Sequence, residues 1–394
     1  MKHPGNEPLT VANRTLRILL VTRNLPPLIG GMERLNWHVS QELSRYAHVR
    51  VVGPKGSASL AAKGVEIDEV GSVKMGPFLL QAFFRCVRIV RRWRPDIILA
   101  GSGLTAPIAV LVAKLSGAKA AIYAHGLDLT VDHAIYRRIW LPLIARADTV
   151  IVNSSATREL ALRAGVRGDR IRVVHPGVEL PTASKPADAL EVMEFRRKHN
   201  LGHGKLLISV GRLTPRKGIL EFVRDVLPAI VARVPQCTLV IVGDAAVHAL
   251  AAASQSVESI QAVARDAGVL ANIRFLGKIT DDELSIVYRV ANLHVFPVQL
   301  RPNDPEGFGM VAIEAAARGV ATVAYRVGGV PDAVAEGQSG CLVDPGNSSE
   351  FGLAAISLLE RPLDPERIVA FAQGFSWDRI GRQLAKVLDS DFGK

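Results

Sequence analysis

Two doubly wound α/β domains, each an open parallel sheet covered by crossover helices, are what the sequence predicts. Three observations carry this. Short apolar runs alternate with helical patterns through both halves of the chain. The length, 394 residues, is more than one core of this kind usually holds. The stretch Pro176–Ala189 contains three prolines and little apolar periodicity, so it reads as a linker. The boundary is placed near residue 185, giving domains at 1–185 and 186–375.

Each element follows from its local pattern. In the first half, apolar runs predict strands at Leu16–Thr22, Val49–Val52, Asp96–Ala100, Ala120–Ala124, Thr149–Val152 and Ile171–Val174. Apolar residues at helical spacing predict helices over Glu33–Arg45, Phe78–Trp93 and Thr105–Leu115. In the second half the strands fall at Leu206–Val210, Thr238–Val242, Ile273–Leu276, Leu293–Phe296 and Ala321–Tyr325. Helices lie between them at Gly218–Arg233, Ser256–Ala267, Asp281–Arg289 and Phe308–Arg318. Two such sheets are expected to face each other across a cleft, with ligands beyond the carboxyl ends of the strands.

Composition narrows the class. Hydrophobic residues make up 48% and charged residues 22%, which excludes disorder, collagen and coiled coil. No apolar run approaches the ~18 residues of a membrane span; Leu104–Ala113 stops at Lys114. Residues 1–14 lack the apolar core of a signal peptide. Cys86, Cys237 and Cys341 have neither metal nor disulfide spacing, which suits a reducing cytoplasm. Residues 1–185 hold 26 basic and 13 acidic side chains, whereas the rest hold 22 and 24. The excess positive charge of the first half points to an anionic partner.

Four motifs could carry chemistry. The first strand runs into Gly30-Gly31 and a helix, a turn whose backbone can approach a phosphate closely. The G-x-G-x-x-G spacing of a dinucleotide fingerprint is absent, which argues against an oxidoreductase. His125-Gly126-Leu127-Asp128 follows an apolar strand. Gly211-Arg212 and Arg216-Lys217-Gly218 follow another, and two fixed cations beside a helix start make an anion site suited to a diphosphate. Glu306-Gly307-Phe308-Gly309-Met310 leads into a helix holding Glu314 among alanines, followed by Gly328-Gly329. A carboxylate in that setting needs hydrogen-bond donors, and ribose hydroxyls would serve.

Together these residues resemble the retaining nucleotide-sugar glycosyltransferases of family four (glycosyl transferases group 1), which have the GT-B fold. Bacterial mannosyltransferases acting on phosphatidylinositol mannosides and lipid-linked saccharides are similar. The resemblance runs from the diglycine loop to Phe375-Ser376-Trp377-Asp378-Arg379. It implies an acceptor-binding first domain, a donor-binding second domain, and a last helix (376–394) that crosses back to the first. It implies that Arg212 and Lys217 hold the donor diphosphate and that Glu306 takes the sugar hydroxyls. Glu314 would hold the ribose, and the backbone of Phe308, Gly309 and Met310 would face the phosphates and sugar. His125 would contact the sugar, Gly30 and Gly31 would close over the phosphates, and Gly211, Lys278 and Ile279 would line the nucleotide. No metal or other cofactor is expected. Paired carboxylates also suggest a retaining glycosidase, but the second glutamate lies beside phosphate-binding features.

The acceptor side is read from Phe78–Arg94, a helix with five arginines. Leu80, Phe83, Phe84, Val87 and Val90 are expected to form its packing stripe, with Arg85, Arg88, Arg91 and Arg92 mostly off it. A basic amphipathic helix suits an anionic membrane surface. Nucleic acid is not expected, because aromatics are only 5% and no binding motif is present. The expected activity is a cytoplasmic, peripheral-membrane hexosyl transfer in envelope polysaccharide, lipopolysaccharide or glycolipid synthesis. GDP-mannose is the leading donor and a UDP-hexose the alternative. A nucleotide-sugar epimerase and a non-catalytic nucleotide- or lipid-binding homologue are the competing readings.

Overall fold

The computed structural model describes residues 10–11, 14–72, 74–181, 189–244 and 255–390. The chain forms two compact units, Met1–Gly177 with Trp377–Lys394, and Val178–Ser376. The boundary expected near residue 185 lies outside the described residues.

Unit 1 holds seven parallel strands: β1 (Arg17–Val21), β2 (His48–Pro54), β3 (Val65–Val70), β4 (Ile97–Ala100), β5 (Lys119–Ala124), β6 (Thr149–Val152) and β7 (Ile171–Val173). Their order is β3-β2-β1-β4-β5-β6-β7. Strands β4 and β6 are buried along their whole length, and β1 and β5 everywhere but their first residue, as strands covered on both faces are. One face packs under α1 (Gly31–Leu43), the other under α2 (Met75–Trp93) and α3 (Ala106–Ser116).

Unit 2 holds six parallel strands: β8 (Leu206–Val210), β9 (Thr238–Val242), β10 (Ile273–Gly277), β11 (Leu293–Phe296), β12 (Thr322–Tyr325) and β13 (Gly340–Val343). Their order is β10-β9-β8-β11-β12-β13. Its helices include α4 (Ile219–Asp225), α5 (Leu227–Arg233), α6 (Asp281–Val290) and α7 (Met310–Ala316). The unit's two ends meet, with the Val178 N–H donating to the Phe375 carbonyl at 2.7 Å. The last helix, α8 (Trp377–Ser390), belongs to unit 1. Its Trp377, Ile380, Leu384 and Leu388 join the core beside Leu35, Val39 and Leu43 of α1. A Cβ at Gly381 would lie 2.6 Å from the Glu42 Cβ, so this glycine sets the close approach of α8 to α1.

Three expectations need correction. Strands β3 and β13 were not foreseen. Val65-Glu-Ile-Asp-Glu-Val70 carries three acids because its middle is only half-buried at a sheet edge, and Gly340-Cys-Leu-Val343 is too short to stand out. The helix expected over Gly218–Arg233 is broken at Val226, just before Pro228, whose ring cannot continue the hydrogen-bond ladder. The packing stripe of α2 is rotated from the one expected. Phe78, Ala82, Cys86, Ile89 and Val90 are buried, and Phe83 and Val87 pack at the margin. Leu80 and Phe84 are each 61% exposed. Small Ala82 and Cys86 let the helix sit close to its neighbours, and this choice of face is invisible in hydrophobicity alone.

Candidate functional site

In each sheet the strand order reverses once, between β1 and β4 in unit 1 and between β8 and β11 in unit 2. Successive crossovers diverge there, leaving a crevice beyond the carboxyl ends of the strands. In unit 2, the loops that border this crevice carry the basic motif and the glutamate motif.

The loop after β8 starts at Gly211, whose φ of 140° is in the glycine-favoured region. Its N–H donates to the Val242 carbonyl at 2.9 Å. A short 3₁₀ turn, Pro215–Lys217, ends at Gly218, where φ is 69° and a Cβ would lie 1.9 Å from the Pro297 carbonyl oxygen. Only glycine lets this turn press against the chain leaving β11. The Gln299 N–H then donates to the Arg216 carbonyl at 2.8 Å, pinning the two loops together.

That contact places Lys217 against Glu306. Lys217 Nζ donates to Glu306 Oε2 at 2.8 Å and lies 4.7 Å from the centre of the Phe296 ring. The two side chains are only 15% and 11% exposed. Burial alone would raise the Glu306 pKa, but Lys217, Arg216 and Arg212 outweigh it and hold it at about 2. The Lys217 ammonium is pulled below its ordinary pKa by burial, with Glu306 opposing and Arg216 and Arg212 adding to the fall.

Arg216, to which no role is assigned from sequence, also meets the carboxylate. Its Nη1 donates to the Pro305 carbonyl at 2.9 Å and lies 3.3 Å from Glu306 Oε2. Its Nε faces Asp304 Oδ1 at 3.4 Å. The signal was present, three cations within six residues. Arg212 is exposed and makes no hydrogen bond or ion pair among the described residues.

The glutamate loop is held from behind. The Gly329 N–H donates to the Glu306 carbonyl at 2.9 Å. A Cβ at Gly328 would lie 2.4 Å from that same oxygen. The diglycine at 328–329 therefore supports the backbone of Glu306. Phe308 is buried in the unit 2 core, and Gly309, at φ 98°, caps α7 against the Phe296 ring. Met310 opens α7. Glu314 is half-buried, and Tyr288 of α6 donates its hydroxyl to Glu314 Oε2 at 3.2 Å. No sequence signal linked Tyr288 to it. Lys278 and Ile279 follow β10 two strands from β8; Lys278 is exposed and Ile279 packs at the core margin.

In unit 1, Gly30 precedes α1, and a Cβ there would lie 2.3 Å from Glu33 Oε2. Asn24 Nδ2 donates to Glu33 Oε1 at 2.7 Å, so Glu33 ties the loop across the helix start. Gly30 and Gly31 are exposed. His125 follows β5 and is 7% exposed. Its Nε2 lies 3.0 Å from the Gly101 carbonyl, which can only accept, so Nε2 carries the proton. Nδ1 is then a buried lone pair with no hydrogen-bond partner among the described residues. Burial lowers the His125 pKa against the opposing pull of Asp128, the Gly101 carbonyl and Glu33, which keeps the ring neutral.

On α2, Arg85 lies 3.5 Å from Asp68. Arg88, Arg91 and Arg92 are exposed and form no ion pair among the described residues. Among those residues, no group of three or more His, Cys, Asp or Glu is placed to hold a metal ion, and no helix is long and apolar enough to cross a membrane.

Comparison with known proteins follows this division. Residues 29–181 match the family model Glycosyltransferase Family 4, and residues 192–375 match Glycosyl transferases group 1. A GDP-mannose-dependent alpha-(1-6)-phosphatidylinositol monomannoside mannosyltransferase of Mycobacterium tuberculosis is 29% identical over 95% of this chain and 98% of the relative. Its counterpart from Mycolicibacterium smegmatis is 29% identical over 94% and 98%. A solved Anabaena protein, HepE in complex with UDP, superposes with a TM-score of 0.76 at 20% identity, covering 95% of this chain and 100% of that one. A sucrose-phosphate synthase from Thermosynechococcus elongatus gives 0.74 at 21%, covering 96% and 99%. At these identities the structural likeness speaks for the fold alone.

Proposed function

Because the chain is a glycosyltransferase of the GT-B fold, belonging to Glycosyltransferase Family 4 over residues 29–181 and to glycosyl transferases group 1 over 192–375, we propose that it moves mannose from GDP-mannose to a lipid-linked acceptor with retention of configuration. The transfer of a sugar from a nucleotide sugar follows from the family. The mannose donor and the lipid acceptor rest on the mannosyltransferases that the chain resembles along nearly its whole length.

The observation that carries the reading is the Lys217–Glu306 pair at the switch point of unit 2, with Arg212 exposed beside it. The donor diphosphate takes Lys217 and Arg212, and Glu306 then accepts hydrogen bonds from the sugar. Glu314, fixed by Tyr288, takes the ribose, and Lys278 and Ile279 lie along the base. In unit 1, His125 and the Gly30-Gly31 turn are assigned to the donor by the family resemblance alone. The acceptor oxygen bonds to the anomeric carbon on the face that the diphosphate leaves. The carbon–oxygen bond to phosphate breaks, and the acceptor proton passes to the departing phosphate oxygen. Lys217 and Arg212 stabilise the charge that develops on that oxygen, and this preorganised electrostatic effect is the largest the site offers.

The test is transfer from GDP-mannose and from UDP-glucose to phosphatidylinositol-containing vesicles, with the anomeric configuration of the product read by NMR. Retained α-mannoside from GDP-mannose is expected. Transfer from UDP-glucose alone would move the donor to the UDP-hexose alternative. A rearranged nucleotide sugar formed without acceptor would replace the reading with an epimerase. Nucleotide binding without turnover would leave a binding homologue.

The acceptor would be met at the inner face of the cell membrane. The exposed side of α2 combines Leu80 and Phe84 with Arg88, Arg91 and Arg92, apolar insertion beside cationic headgroup contacts. Each arginine near an anionic surface contributes about 1 kcal/mol. The triple variant Arg88→Gln, Arg91→Gln, Arg92→Gln is therefore expected to bind phosphatidylinositol vesicles roughly 10²-fold more weakly in sedimentation. Unchanged binding would remove α2 from the membrane reading.

A further inference from the structure

Glu306 Oε2 serves two cations at once, Lys217 Nζ at 2.8 Å and Arg216 Nη1 at 3.3 Å. The proposed role of Lys217 requires it to face a diphosphate instead. A lysine whose only counter-ion is a buried carboxylate would be held there, because leaving would strand a charge. Arg216 removes that obstacle. It stays anchored by the Pro305 carbonyl at 2.9 Å, and its backbone carbonyl is held by Gln299 at 2.8 Å.

We infer that Arg216 is a positioning residue that releases Lys217 to the donor diphosphate, by holding the Glu306 carboxylate charged and in place when Lys217 turns away. The inference rests on the reading given under Proposed function. The charged groups around the carboxylate are Lys217 and Arg216 on the 3₁₀ turn, Arg212 earlier in the same loop and Asp304 on its own loop. The planar fork of Arg216 meets Asp304, Pro305 and Glu306 together, which the single ammonium of a lysine cannot do.

A double-mutant cycle on nucleoside diphosphate binding tests this, with GDP and UDP as probes and the Tm of each variant as the folding control. Arg216→Gln is expected to weaken the bound diphosphate roughly tenfold, about 1.4 kcal/mol. In the Glu306→Gln background Lys217 is already free, so Arg216→Gln should then cost less than about twofold, a coupling of the size seen for residues in one network. Arg216→Lys keeps the charge and should stay within about threefold of wild type for binding, with a larger loss in sugar-transfer kcat. The same penalty in both backgrounds would mean that Arg216 adds only its charge to the field, and the inference falls. A penalty that follows loss of Tm in every background would make Arg216 merely structural, with the same result. If wild type binds no nucleotide, the donor-site reading and this inference fall together. If wild type binds and Arg216→Gln equals it, only the inference falls.

Discussion

Glu306→Gln is expected to lower sugar transfer by roughly 10²–10³-fold, the loss typical of removing one preorganised electrostatic contact from a reacting centre. The change is nearly isosteric, so the loop stays on its supports at Gly328 and Gly329. What goes is a buried carboxylate that is ionised at any working pH, since its pKa lies at about 2. A neutral amide accepts sugar hydroxyl bonds far more weakly than a carboxylate does. The variant also leaves Lys217 unneutralised, so binding of GDP or UDP should be kept or strengthened while kcat collapses. Steady-state kinetics with nucleotide-binding titrations separate the two effects. Wild-type turnover in this variant would remove Glu306 from the site.

Lys217→Ala should fail differently. The lysine is almost buried, paired with Glu306 and set over Phe296. Its removal takes away the cation closest to the leaving group, so both the ground-state diphosphate and the developing charge lose their partner. A loss of roughly 10³-fold in kcat/KM is expected, with nucleoside diphosphate affinity down at least about tenfold. Glu306 keeps Arg216 as counter-ion, so the fold should survive, and circular dichroism and Tm check it. If Lys217→Ala binds nucleotide as well as wild type does, the diphosphate lies elsewhere.

The contrast between the two variants reflects how much of the site the sequence exposes. The strands at Leu206–Val210, Thr238–Val242 and Leu293–Phe296 are readable because each is a short apolar run with a turn residue after it. Gly211, Gly218 and Gly309 are readable because their positive φ strongly favours glycine. That Lys217 meets Glu306 is not readable from spacing, since the two are 89 residues apart. It depends on β8 and β11 being neighbours, and strand order is a tertiary choice. Tyr288 beside Glu314 and Arg216 beside Glu306 are hidden for the same reason. The face of α2 does not follow the strongest apolar residues, because small Ala82 and Cys86 pack inward while Leu80 and Phe84 point to solvent.

Thermal unfolding of wild type and Lys217→Ala with GDP, UDP and ADP tests the donor site most directly. A ligand at about a hundred times its Kd stabilises the folded state by about 2.7 kcal/mol, which is a clear rise in Tm. The expected result is stabilisation of wild type by one base above the others, GDP first, with little or none in Lys217→Ala. No stabilisation by any nucleotide, or an equal rise in the variant, would contradict a diphosphate site built on Lys217 and Glu306.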